Sequence, residues 1–275
     1  MSRTLSPDAV TLIKTYEGCP PHPEWPGGES GITLGYGVDI GADSDGLAAW
    51  KPFLSDADYA RLEKVTDLTG SDAEDALPSV KDIKIDPDDA LTVFEQNTAP
   101  TYIATNQDAF PNSDSLPDDS FGALVSLVYN RGPGMTDKPG QLTRANMRAI
   151  RDMLAANDPT RWPEIVTELA KMALLWNNGQ PNQGASNLSG RRLAEASLAA
   201  RGLRSAGQFQ NALIKGDKGD HNSRIAAMQK ALKIGADGIF GADTMVAVWK
   251  YQKTNAALTD TGVADSDTLT ALGVA

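Results

Sequence analysis

Three polar residues near the start of the chain have types and spacing that could do chemistry. Glu17 closes an apolar stripe, Val10, Ile13 and Glu17 at i, i+3 and i+7, on a segment opened by Ser6, Pro7 and Asp8. Those three suit an N-cap, the first helical position and the acidic first turn, so a helix is expected to about Tyr16. A carboxylate on an apolar helix face either pairs with a buried arginine or works in a cleft. Thr33 and Asp39 lie in ITLGYGVDIG, residues 32–41. Its alternation puts Thr33, Gly35, Gly37 and Asp39 on one strand face and Ile32, Leu34, Tyr36 and Val38 on the other. Glycines between a hydroxyl and a carboxylate leave a shelf where a ligand can lie close, and a hairpin bend or bulge at one glycine fits the pattern as well. One carboxyl that gives a proton to a leaving oxygen and one that activates water are what glycosidic hydrolysis requires.

The rest of the composition narrows the chemistry to carboxylates, hydroxyls and amides. With one cysteine, Cys19, and two histidines, His22 and His221, multi-cysteine metal sites and disulfides within the chain are excluded and no metal or organic cofactor is expected. Cys19 lies close to Glu17, but a lone thiol without histidine and aspartate partners reads as buried rather than nucleophilic. A hydrophobic fraction of 41% is enough for cores in one large or two ordinary domains. Neither a membrane-spanning run nor a signal peptide is read in the sequence. The net charge of −11 argues against nucleic acid as a partner. That charge is uneven: residues 39–121 carry 5 basic and 19 acidic side chains, and residues 122–215 carry 12 and 6. Solvated helix surfaces explain such a split more simply than an acidic and a basic wall of one cleft.

Further along, short helical patterns fall at 55–65 and 86–97, with Ser55 and Asp86 as caps. FGALVSLVYN, residues 121–130, is nearly all apolar and stops at Arg131-Gly132-Pro133-Gly134, which predicts a buried helix. Helices also fit 143–156, 162–176 and 188–204. In the last of these either Arg191 or Arg192 can point inward, toward an inward acid such as Glu17. Residues 207–214 read as a short connection. Residues 215–275 read as a small unit of three helices with tight turns at Asp237-Gly238 and Gly241, and Asp243 as a cap. No internal repeat is evident.

The runs TLIKTYEG, GITLGYGVD, ALVSLVYNRG and GRRLAEASL, in that order, resemble the phage-type lysozymes, a muramidase family. The tail, with DGIFGADTMVAVWKYQ and GVADSDTLTAL, resembles the type 1 peptidoglycan-binding domain. The resemblance implies a mainly α, lysozyme-like α+β fold: a two-lobed helical domain at 1–206 with a small β-hairpin lobe, then a three-helix wall-binding domain at 215–275. It carries a catalytic Glu onto Glu17 and a catalytic Thr onto Thr33. The usual phage order places an Asp between them, where this chain has only Glu24 and Glu29. The pesticin-like branch of the family places it after the Thr, which fits Asp39, with Glu29 as the alternative.

By the same resemblance, Arg191 or Arg192 orients the acid, Tyr36 and Asn130 meet sugar, with helix capping an alternative for Asn130, and Asp237, Gly238, Phe240, Gly241 and Thr244 mark the wall-binding signature. The implied protein is a monomeric endolysin that cleaves between N-acetylmuramic acid and N-acetylglucosamine. It would be held in the host cytoplasm, reach the wall through a holin or another route, and have peptidoglycan as its partner. Rival expectations are a non-catalytic wall-binding or virion protein, a bacteriocin or secreted muramidase, and a lytic transglycosylase.

Overall fold

The computed structural model describes residues 3–176, 187–209 and 212–274. The described residues are mainly helical, with one two-stranded sheet among them. It clusters into two compact units, one of residues 1–4 and 13–104, the other of residues 5–12 and 105–275.

The first unit is built around α1 (Pro7–Glu17) from Ile13 onward, a hairpin of β1 (Thr33–Leu34) and β2 (Val38–Asp39), and four helices: α2 (Asp56–Leu62), α3 (Gly70–Ala76), α4 (Pro87–Val93) and α5 (Ala99–Ala109), the last from Ala99 to Ala104. Its helix starts follow local chemistry. Ser55 accepts the Asp58 N–H at 3.1 Å, and Asp86, followed by Pro87, accepts the Asp88 N–H at 2.8 Å. The acidic residues crowd into first turns: Asp56 and Asp58, Asp72, then Asp88 and Asp89. These five of the 19 acidic side chains of residues 39–121 therefore complement helix dipoles. Ile32, Leu34, Ile40, Leu47, Trp50 and Phe94 are among its buried apolar side chains.

The second unit has α6 (Asp118–Arg131) at its centre, buried from Ser120 through Val128 as the apolar run requires. Around it stand α7 (Ala145–Ala155), α8 (Pro163–Ala173) and α9 (Asn187–Ser205), with α9 packed against both α6 and α8. Ser120 donates to the Ala199 carbonyl at 2.8 Å, which joins α6 to α9. The Ser6 hydroxyl caps the start of α1 through the Ala9 N–H at 3.2 Å and donates to Asp119 at 2.6 Å.

The chain ends in α10 (Asn222–Ala231), α11 (Ala242–Lys253) and α12 (Ser266–Ala271). Their core of Ile225, Met228, Phe240, Met245, Val248 and Leu269 is continuous with Ala173 of α8 and Leu193 of α9. Leu213 pairs with Ala264, and Arg204 holds Asp217 with both arms of its guanidinium, at 2.6 and 2.7 Å. The three-helix module is thus packed into the second unit.

Two expectations about this module need correction. Asp243 is not the cap of α11: the helix starts at Ala242 with Gly241 at the N-cap position, and Asp243 lies in the first turn. The module also holds a short repeat. The Gln229 amide donates to Asp237 Oδ1, the Ile239 carbonyl and Thr244 Oγ1, and its oxygen accepts the Gly238 N–H. The Gln252 amide donates to the Val263 carbonyl and Thr268 Oγ1, and its oxygen accepts the Thr261 and Gly262 N–H groups. Both glutamines are 1% exposed. The same device, a buried amide that satisfies the turn following its helix, is used twice, and the two turns align as DGIFGADT at 237–244 and TGVADSDT at 261–268, with Gly238, Asp243 and Thr244 matched by Gly262, Asp267 and Thr268.

Candidate functional site

Of the two readings of residues 32–41, an alternating strand or a bend at a glycine, the structure has the second, a tight hairpin. Gly35 and Gly37 take φ of +54° and +91°, which turns the chain back within three residues and pairs Thr33 with Asp39 and Leu34 with Val38. Directly opposed residues on an antiparallel pair project to the same face, so Thr33 and Asp39 share a face across the hairpin rather than along a strand. Glu24 extends this ladder through its backbone, with its N–H donating to the Thr33 carbonyl at 3.1 Å and its carbonyl accepting the Thr33 N–H at 2.8 Å.

Asp39 is held firmly. One carboxylate oxygen accepts the Gly31, Gly41 and Ala42 N–H groups at 3.1, 3.0 and 3.0 Å, and the other accepts Gly31 at 3.0 Å. Gly31 permits this: a Cβ there would collide with the Asp39 carboxylate and the Gly41 backbone. Further ties hold the hairpin base in place, from the Gly70 N–H to the Ser30 carbonyl at 3.0 Å and from the Trp25 indole N–H to the same carbonyl at 2.9 Å. Thr33 is 8% exposed and Asp39 half-buried, whereas the side chains of Glu24 and Glu29 are exposed.

Glu17 is the last residue of α1 and half-buried. Its charge reaches Tyr102 on α5: burial pushes that phenol above its ordinary value, and the carboxylates of Glu17 and Asp43 push it further. Tyr36, at the hairpin tip, is 6% exposed, lies edge-on to Phe94 with centroids 6.1 Å apart, and has the Lys14 ammonium 5.5 Å from its ring centroid. The Cys19 thiol contacts Tyr36, and burial pushes it up, away from a reactive thiolate. His22 bonds the Ile83 carbonyl at 2.9 Å through Nδ1.

In the second unit Arg191 and Arg192 both point inward, 2% and 0% exposed. Both engage Glu195 Oε1, at 3.3 and 2.7 Å, and Ser126 Oγ donates to the same oxygen at 2.7 Å. Burial pushes Glu195 upward against the pull of the two guanidinium groups. This cluster was not anticipated, although its signal was present: Glu195 lies at i+4 from one arginine and i+3 from the other on a single helix. Asn130 is half-buried in the last turn of α6, where Arg131 donates to the Leu142 and Thr143 carbonyls at 3.3 and 3.2 Å. Among the described residues no cluster of histidine, cysteine, aspartate and glutamate could hold a metal ion, and no helix is long and apolar enough to cross a membrane.

The signature residues of the C-terminal module are structural in their contacts. Asp237, Gly238 and Thr244 satisfy Gln229, and Phe240 is fully buried. Residues 222–272 match the peptidoglycan binding domain family. The match covers all three terminal helices, so the module is a cell-wall-binding one and peptidoglycan is its partner. No curated protein matches the chain.

Proposed function

We propose that the chain is a wall-anchored muramidase, with residues 13–104 carrying the two carboxyls and the C-terminal module holding the insoluble substrate. The observation that carries the reading is the cross-strand pair of Thr33 and Asp39, with the Asp39 carboxylate oriented by three backbone N–H groups. Glu17 gives its proton to the glycosidic oxygen as the bond to the anomeric carbon breaks. Asp39 takes a proton from the attacking water, which the Thr33 hydroxyl helps to hold. Inversion follows if about 6.5–9.5 Å separates the carboxyls. The exposure of Glu24 and Glu29, against the fixed and half-buried Asp39, supports Asp39 as the second carboxylate. A wall-binding module raises the effective concentration of substrate, which suits an endolysin that is released from the host cytoplasm by a holin and then acts on a polymer.

The amide clamp favours a second reading as well, in which Asp39 only closes the hairpin and the protein binds wall without cutting it. Mass spectrometry of the soluble products from purified peptidoglycan separates the two. Reducing N-acetylmuramic ends from the wild type and none from Glu17→Gln are expected. Anhydro ends would make it a lytic transglycosylase, and no products from the wild type would leave the binding-only reading.

A further inference from the structure

The C-terminal module carries a groove of about 680 Å³ between the end of α10 and one face of α11. Asp243, Val246 and Lys250 recur at i, i+3 and i+7 and so lie on that face, and Tyr251 joins them at the rim. The floor is apolar, from Leu232 and Val246, both partly buried against the module's core. Lys233 and Lys250 are exposed at this groove and carry no ion pair among the described residues. In a chain of net charge −11, two unpaired ammonium groups over an apolar floor form a local site for an anion.

Lys233 is placed there at a cost. It closes α10 with φ of +59°, and Ile234 N–H reaches back to the Gln229 carbonyl at 3.0 Å, a helix end where glycine is the unstrained choice. The groove's aromatic residue is half-buried, and its hydroxyl donates to the Ala271 carbonyl at 3.0 Å, so it does not offer the open ring face that a sugar stacks on.

We infer that this groove binds the stem peptides of peptidoglycan, with Lys233 and Lys250 taking their carboxylates and Leu232 and Val246 receiving their alanine methyls. The inference rests on the wall-binding reading of the module and names which part of the polymer it grips. A stem peptide is short, rich in alanine and bears several carboxylates with at most one free amine. Two lysines facing one aspartate match that balance.

The test uses the full chain carrying Glu17→Gln, so that sacculi persist. Co-sedimentation is measured with intact sacculi and with sacculi stripped of stem peptides by an amidase, and titration with the soluble tetrapeptide L-Ala-D-Glu-diaminopimelate-D-Ala. Lys233→Gly with Lys250→Gln removes both charges while relieving the positive φ, and Lys250→Glu alone reverses one. The expected results are loss of binding on stripped glycan and about tenfold weaker binding of the double variant to sacculi and to tetrapeptide, with an unlowered Tm. Lys250→Glu should weaken both further than Lys250→Gln, and added salt should weaken the unsubstituted lysines' binding. Equal binding by the double variant overturns the groove and leaves wall binding standing. Equal binding to stripped and intact sacculi overturns the stem peptide as ligand. Binding to neither overturns the wall-binding reading itself, and the groove with it.

Discussion

Asp39→Asn separates a reacting carboxylate from a clamping one, because the two roles predict losses of different size. Asparagine keeps one oxygen, which can still accept from Gly31, Gly41 and Ala42. It loses the charge, and its amide hydrogens face the Gly31 N–H that the second carboxylate oxygen accepted at 3.0 Å. A hydrogen bond to a charged group is worth roughly 1 kcal/mol more than a neutral one. Three donors then give about 3 kcal/mol, which partial exposure of Asp39 reduces to about 1–2 kcal/mol. At roughly 2–4 °C per kcal/mol for a chain of this size, Tm should fall by about 2–8 °C. A fold with typical stability of about 5–15 kcal/mol stays fully populated at 25 °C after such a loss. A reacting carboxylate contributes far more, about 10²–10⁴ in rate, or roughly 3–5 kcal/mol of barrier. The assay is release of reducing ends from purified peptidoglycan at 25 °C, beside thermal unfolding followed by circular dichroism. The expected result is a rate loss of at least about 10² with only the small fall in Tm. A variant that cleaves within about threefold of wild type refutes Asp39 as the second carboxylate, and Glu29→Gln is then the substitution to compare.

The remaining predictions concern stability. Gln229→Ala strands the buried Gly238 N–H, while the Thr244 hydroxyl keeps its bond to the Ile239 carbonyl, and at about 1–3 kcal/mol per stranded group it should cost roughly 1–3 kcal/mol; Gln252→Ala should cost at least as much by denaturant unfolding, and a much smaller cost would break the equivalence of the two turns. Arg204→Ala leaves Asp217, 8% exposed, without its guanidinium and should destabilise the chain by about 3 kcal/mol, while Ala173 and Leu193 in the shared core make removal of 215–275 expose apolar surface on α8 and α9. Unchanged thermal unfolding of the remaining chain after removal of 215–275 would contradict that coupling. The Arg148 guanidinium, helped by the Arg144 N–H, holds the Asp137 carboxyl below its usual range. The folded value lies under the unfolded one, so this contribution is present above about pH 4 and lost as pH falls through the folded value. An NMR titration placing the Asp137 midpoint at or above the ordinary carboxylate value would reverse the sign.

Local signals in the chain were enough for many of the helices, though not for α3 and α5. Ser6, Ser55 and Asp86 cap where their types say they should, the run from Phe121 is buried as its composition requires, and Asp265 caps α12 through the Thr268 N–H at 2.8 Å. These features depend on residues within one or two turns of each other, so a linear reading reaches them. The candidate site was legible as a set of residues, Glu17, Thr33 and Asp39, because glycines mark where a chain can turn or a ligand approach. Alternation did not distinguish a strand from a hairpin: period two puts Thr33 and Asp39 on one face either way, and only the positive φ of Gly35 and Gly37 decides.

What the linear reading could not reach are the partners chosen by burial. Arg191 and Arg192 were expected to seek a distant acid. Tertiary packing of α9 on α6 also buries them beside Glu195 and Ser126, where the lost hydration makes nearby countercharge and hydroxyl obligatory. The clamp on Asp39 depends on Gly31, Gly41 and Ala42 converging in space, and the repeat in the C-terminal module on two glutamines that each reach a turn several residues further along the chain. Sequence order determined which residues could do chemistry or fill a core; which charges face each other, and which turns need a buried amide to satisfy them, was decided only when the packed helices shut out water.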